Sequence, residues 1–228
     1  MRAGPVRVFP LEHSPVSAAA ADHAAAALLV SAFAQHWPDA WPTHADALSE
    51  IAEMRAADRV ALAAWASPAH EREPAHEGEP TLVGEPALVG QPTLVGELTL
   101  VGEPTLVGLI GAIPTYDGRV WELHPLAVAD GWRGQGVGRA LVSALEAAVR
   151  GHGALVLVVG TDDEADLTTV SGADVFDAPW RHLRDLAQRP GRDPHPFAFY
   201  QRLGFVVTGI VPDANGRGKP DILMSKRL

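Results

Sequence analysis

Apolar side chains recur at helical spacing from Val137 through Leu141, Ala144, Leu145 and Ala148, which predicts a packed helix over Gly136–Arg150. The segment before it, Arg119–Val128, predicts a strand, and the apolar run after it, Ala154–Gly160, predicts another. Upstream, Ser17–Gln35 is alanine-rich, with an apolar stripe at Leu28, Leu29 and Phe33, and reads as a helix. Pro38 and Pro42 break the chain around Trp37 and Trp41. Thr43 with Asp46 three residues on predicts a capped second helix to about Ala56, and Val60–Trp65 a strand. Downstream, a polar loop at Thr161–Ala178 leads to short helices near Trp180–Gln188 and at Pro196–Leu203. Strands follow at Phe205–Val211 and Asp221–Ser225. Strands and helices alternating through short links imply an α/β (α+β) layer architecture.

From Gly78 to Val107 the pattern changes to five consecutive hexapeptides of the type GEPTLV. A six-residue period with Leu-Val pairs suits a β-helix. Each coil of such a helix would consume several repeats, however, and proline at nearly every repeat bars a central ladder strand. The block, at about 78–107, therefore reads as an expanded hairpin connection whose last copy enters a strand at Thr105–Ile113. Length in such a loop costs little. The competing reading is that the Leu-Val pairs cover a surface or a partner subunit.

The chain's 228 residues suffice for one good core or two small ones. With no cysteine, disulfides, thiolate metal sites and cysteine nucleophiles are excluded. No run reaches membrane-span length and the N-terminus shows no clear signal peptide, so the expected location is cytoplasmic. A formal net charge of −10 serves either solubility or attraction of a cationic partner. No basic stripe is visible, so nucleic acid is not an expected partner.

The turn between Val128 and the central helix carries Arg133, Gly136 and Gly138. Glycines there let backbone N–H groups approach a bulky anion, and the helix start adds its own unpaired donors and positive dipole end. Neither the phosphate-lysine motif nor the dinucleotide glycine motif is present at this turn. This third kind of phosphate cradle suits coenzyme A. The plain alternative is a glycine-rich strand-to-helix turn with no ligand.

WELHPLAV followed by WRGQGVGRAL resembles the acetyl-CoA-binding core of the GNAT acyltransferases. IGAIPTY, GTDDE, HPFAFYQRLGF and VVTGIVPDANGRGKPDILMSKRL are similar to one subgroup, the aminoglycoside 6'-N-acetyltransferases, and WPDAWP fits its N-terminal region. The resemblance spans nearly the whole chain except the hexapeptide block. It implies a single domain over residues 1–228 with an insertion at about 78–107. The implied fold is a bent mixed sheet flanked by helices, with a V-shaped splay between the fourth and fifth strands.

Acetyl-CoA is the implied co-substrate. Its pantetheine arm would pair with the backbone of Leu126, Ala127 and Val128. Its pyrophosphate would sit on Arg133, Gly134, Gln135, Gly136, Val137, Gly138 and Arg139. Glu122 is the implied acceptor of the incoming ammonium and helper of its deprotonation, with His124 as a competing base or a structural histidine. Tyr200 would donate a proton or hydrogen bond to the departing thiolate. Trp37, Trp41 and Tyr116 are candidates to wall the acceptor site, and Asp162, Asp163, Asp213 and Asp221 to bind a polycation. For Asp213 a turn role competes, and for the tryptophans core packing does.

The reaction so implied is direct transfer of acetyl to the 6'-amine of an aminoglycoside, giving antibiotic resistance. No metal is required, and no Ser-His-acid relay is apparent. The resemblance also implies a homodimer and no membrane partner. Two other readings are kept: a GNAT enzyme acting on a polyamine or a protein amine, and a non-catalytic acyl-CoA sensor. The acceptor-side acids weigh against the first, and Glu122 with Tyr200 against the second.

Overall fold

A computed structural model describes residues 5–35, 37–68 and 102–228. The first four hexapeptides, and with them the loop reading, lie outside the described residues.

Seven strands form one sheet in the order β1-β2-β3-β4-β5-β7-β6. They are β1 Val6–Pro10, β2 Val60–Ala66, β3 Thr105–Thr115, β4 Val120–Val128, β5 Val156–Asp162, β6 Val206–Val211 and β7 Asp221–Arg227. Neighbours are antiparallel except β4 and β5. Those two are joined by the helix α3, Val137–Gly151, because a parallel pair needs a crossover. The remaining helices are α1 Ala18–Phe33, α2 His44–Met54, α4 Pro179–Arg184 and α5 Phe197–Arg202.

Two apolar clusters fill the two faces of the sheet. On one face α3 and α5 bury Leu141, Leu145, Val149, Phe197 and Tyr200 against the strands. On the other, α1 and α2 bury Ala21, Ala25, Leu29, Ile51 and Met54. The alanines of α1 let its backbone come close to α2 and β3, with which it makes extensive contact. Leu145 is fully buried, so truncation to alanine would cost about 2–5 kcal/mol. Thr43 and Asp46 form the reciprocal capping box at the start of α2. Glu146, a carboxylate within the α3 core face, is satisfied by Lys226 Nζ at 2.6 Å.

The strand β1 was not foreseen in the hydrophobic pattern. It is an edge strand between prolines, and its half-exposed residues lack a clean alternation. The helix expected near Trp180–Gln188 ends earlier, at Arg184. The last hexapeptide enters β3 as expected, and Ala66 pairs directly with Thr105. The connection between β2 and β3 thus joins adjacent strand ends. No helix among the described residues is long and apolar enough to cross a membrane.

The feature that builds the site is the short pairing of β4 with β5. Only Val120–Glu122 meet Val156–Val158; beyond that point the two strands diverge. From Leu123 onward the β5-facing edge of β4 is left open, while its other edge stays paired to β3. This is the V-shaped splay.

Candidate active site

A cavity of about 820 Å³ runs from the open edge of β4 to the turn before α3. A second, of about 260 Å³, lies on the side of α1 and the tryptophans. The two share six lining residues: Phe33, Trp37, Leu126, Asp162, Pro196 and Tyr200. A molecule in one therefore meets a molecule in the other at Leu126, Asp162 and Tyr200.

The larger cavity fits a phosphorylated, extended ligand. Gly134 and Gly136 have φ of 74° and 87°, the left-handed region that favours glycine, and nothing lies within 4 Å of where either Cβ would stand. Gly136 is the residue before α3, and no side chain caps that helix. The first backbone donors of α3 therefore point into the cradle with its positive dipole end. Leu126, Ala127 and Val128 line the cavity along the free edge of β4, where an extended amide chain can add as a strand.

Four residues of the expected cradle are also engaged within the protein. Val137 is buried in the core, so only its backbone faces the turn. Gly138 lines the cavity, and a Cβ there would stand 3.2 Å from Phe199 Cζ, so the glycine also admits the Phe199 ring. Arg133 is engaged locally, with Val128 O at 3.3 Å and Asp130 Oδ1 at 3.1 Å, and so braces the turn as well as charging it. Gln135 also braces the turn, donating to Gly131 O at 2.6 Å. Arg139 and Arg202, the latter unassigned from sequence, both line the cavity.

Tyr200 stands between the cavities with its ring held edge-on to Phe199 and Phe205, at 5.0 and 5.4 Å. Burial pushes its hydroxyl well above the ordinary phenol range, so it keeps its proton at neutral pH.

The acceptor side is aromatic on one flank and acidic on the other. Phe33 contacts Trp41 edge-on at 4.8 Å and Trp37 at 5.8 Å, and the Trp41 and His124 rings are 6.0 Å apart. Trp41 is both core and wall, being buried yet lining the smaller cavity.

Asp162 ends β5 directly opposite Asp221 of β7, and Asn215 Nδ2 donates to its Oδ1. Glu122, exposed on β4, does not line either cavity but lies near enough for its charge to act on Asp221. Burial first, then the charges of Asp162 and Glu122, push Asp221 up to about 6. Three acids on the adjacent strands β4, β5 and β7 thus make a field that favours a cation.

The other expected residues are not brought to the cavities. Asp163 is fully buried, and its carboxylate accepts from Leu167 N, Thr168 N and Thr168 Oγ1 at 2.7, 2.9 and 2.6 Å. It shapes the loop after β5 and offers no face to a ligand. Asp213 has φ of 55° and accepts from Gly218 N, which is the turn role. Tyr116 sits 80% exposed in the turn between β3 and β4, outside both cavities. Sequence reasoning missed Phe33 as a wall, Asn215 as the partner of Asp162, and His195. The last two lie within stretches already singled out, but no local pattern reveals a contact across 33 or 53 residues. Among the described residues no three His, Cys, Asp or Glu side chains gather to hold a metal ion.

Residues 57–167 match the model of the acetyltransferase (GNAT) family. No curated protein sequence matches the chain. Among solved structures, an aminoglycoside 6'-N-acetyltransferase complexed with coenzyme A is 27% identical over 97% of this chain and 96% of that one, with a TM-score of 0.69. The aminoglycoside 6'-N-acetyltransferase from Enterococcus faecium is 28% identical over 98% and 96%, with a TM-score of 0.67. An aminoglycoside 6'-acetyltransferase type Ii is 25% identical over 98% and 96%, with a TM-score of 0.56. The splayed mixed sheet and the family match define the class: the chain carries a GNAT acetyltransferase domain, and its chemistry is GNAT acetyl transfer.

Proposed function

We propose that this chain transfers acetyl from acetyl-CoA to the 6'-amino group of an aminoglycoside. The observation that carries the reading is the likeness, over nearly the full length, to solved aminoglycoside 6'-N-acetyltransferases. The acids on three adjacent strands beside the acetyl-delivery channel support it, because aminoglycosides are polycations.

Acetyl-CoA lies along the free edge of β4, with its pyrophosphate on the Gly134–Gly136 turn and the start of α3. The acceptor enters the smaller cavity, its ring against Trp37, Trp41 and His124. Asp162, Glu122 and Asp221 attract its ammonium group. An amine attacks a thioester only when neutral, so one proton must leave first, directly or through water, toward these carboxylates. Holding both substrates in attack geometry supplies most of the acceleration. The amine nitrogen bonds the carbonyl carbon, whose oxygen is polarised by backbone N–H groups near Leu126–Val128. The carbon–sulfur bond then breaks with Tyr200 donating a proton or a hydrogen bond to the departing thiolate, and the second proton that the amine nitrogen sheds as the amide forms leaves the phenol protonated and the thiol neutral. The product has lost a charge and a donor on its 6'-nitrogen, which is how acetylation would confer resistance.

The test is release of coenzyme A with kanamycin or tobramycin, compared with spermidine and with no acceptor. Aminoglycoside-dependent release with 6'-N-acetyl product supports the reading. Release with spermidine alone would transfer it to polyamines, and release with neither would overturn it.

A further inference from the structure

We propose that His195 is a positioning residue that sets the separation between Tyr200 and Asp162, by joining the helix of one to the strand of the other through a single imidazole ring. The proposal rests on the reading of Tyr200 as proton donor to the thiolate and of Asp162 as an amine-facing acid.

His195 is 1% exposed, and both ring nitrogens are used. Phe197 N donates to Nδ1 at 3.1 Å, so Nδ1 carries no proton. The neutral ring therefore has its proton on Nε2, which donates to the carbonyl oxygen of Asp162 at 3.0 Å. Phe197 opens α5, and no side chain caps that helix from Pro196. Tyr200 follows three residues later on the same helix face. The backbone of His195 is itself fixed, since its N–H donates to Gln188 Oε1 at 2.8 Å. Gln188 Nε2 in turn holds Leu167 O and Asp193 O at 3.1 and 2.8 Å.

The imidazole is rigid, so the distance from α5 to the end of β5 is fixed by covalent geometry at its centre. Beside this tie the two elements share only non-directional core packing, and along the chain they are separated by more than thirty residues that include α4. The charged groups facing the ring are Asp162, the last residue of β5, and Asp163, the first of the loop after it. They favour the imidazolium, but burial outweighs them and holds the ring neutral. Protonation would end the Nδ1 contact with Phe197.

The test uses His195→Phe, which keeps a flat buried ring without hydrogen bonds, and His195→Gln, whose amide can still donate to Asp162 O. For His195→Phe, kcat should fall by roughly 10–100-fold while coenzyme A affinity stays within about twofold by calorimetry. His195→Gln should recover part of the loss. Acetyl-CoA hydrolysis without acceptor reads the Tyr200 side alone and should fall in parallel. In a Tyr200→Phe background, His195→Phe should cost much less, because the residue it acts through is gone. The parent's kcat should fall as pH drops through the imidazole titration, and His195→Gln should lack that limb. A folded His195→Phe with kcat within about twofold of the parent overturns the proposal. So does equal loss of coenzyme A affinity and kcat with no recovery in His195→Gln, which marks a structural role only. If His195→Phe does not fold, His195→Gln and the pH limb decide. If no aminoglycoside is acetylated, the hydrolysis series still decides on His195.

Discussion

The carboxylate of Asp221 lies across Gly160 on the neighbouring strand, with Oδ2 2.6 Å from where a Cβ at Gly160 would stand. Its Oδ1 is buried without a hydrogen-bond partner. Residue 160 must therefore be glycine for this acid to occupy the space beside Asp162. A carboxylate so placed is costly when charged, because it is desolvated and faces two other acids.

That cost has a defined pH dependence. Asp221 is pushed up to about 6, so the folded chain holds its proton more tightly than the unfolded one. Stability from this group then falls as pH rises from the ordinary carboxylate range through about 6, and the full penalty is present above it. Asp221→Asn should raise stability at pH 7.5 by about 1–3 kcal/mol, and the gain should shrink toward pH 4. Thermal melts of parent and variant across this range check the sign; a gap that widens on acidification would refute the assignment.

Glu122 is exposed, and its charge reaches Asp221. Glu122→Gln should leave the fold and coenzyme A affinity unchanged while lowering aminoglycoside turnover by about tenfold or more. Steady-state kinetics over a pH series provide the measurement, and identical profiles for the two proteins would remove Glu122 from the reaction.

The two cradle glycines should fail for different reasons. Gly136→Val puts a β-branched residue at φ of 87° and fills the ligand side of the turn, so coenzyme A binding should be lost first. Gly138→Val drives into Phe199, so the fault should appear as lower stability and a displaced α5. Calorimetry with coenzyme A and thermal melting, run on both variants, separate the two. Tight binding by folded Gly136→Val would locate the cradle elsewhere.

Deleting residues 78–101 keeps one GEPTLV copy before β3. Because Ala66 and Thr105 are register partners, a shorter connection still joins adjacent strand ends. Folding, coenzyme A binding and acetyl transfer should stay near parental. If the Leu-Val pairs are buried against the body or a second copy, each would contribute roughly 1.5–3 kcal/mol, and the melting temperature would drop sharply. Thermal melting and light scattering on the variant distinguish the outcomes.

Local chemistry was legible in the residues themselves. The spacing from Val137 to Ala148, the Thr43 and Asp46 cap and the glycine turn at Gly136 act within a few residues of chain, and each is found where expected. The family motifs likewise carried the splay. What only the tertiary structure decided is which distant groups meet. Glu122, Asp162 and Asp221 come together because β5 lies between β4 and β7, an order set by long-range pairing that no local period encodes. The same pairing separates Asp162, which lines both cavities, from its neighbour Asp163, which is buried in its own loop. Asp162 is the last residue of β5 and Asp163 the first of the loop that closes over its own carboxylate, so two adjacent aspartates of equal chemistry took opposite roles.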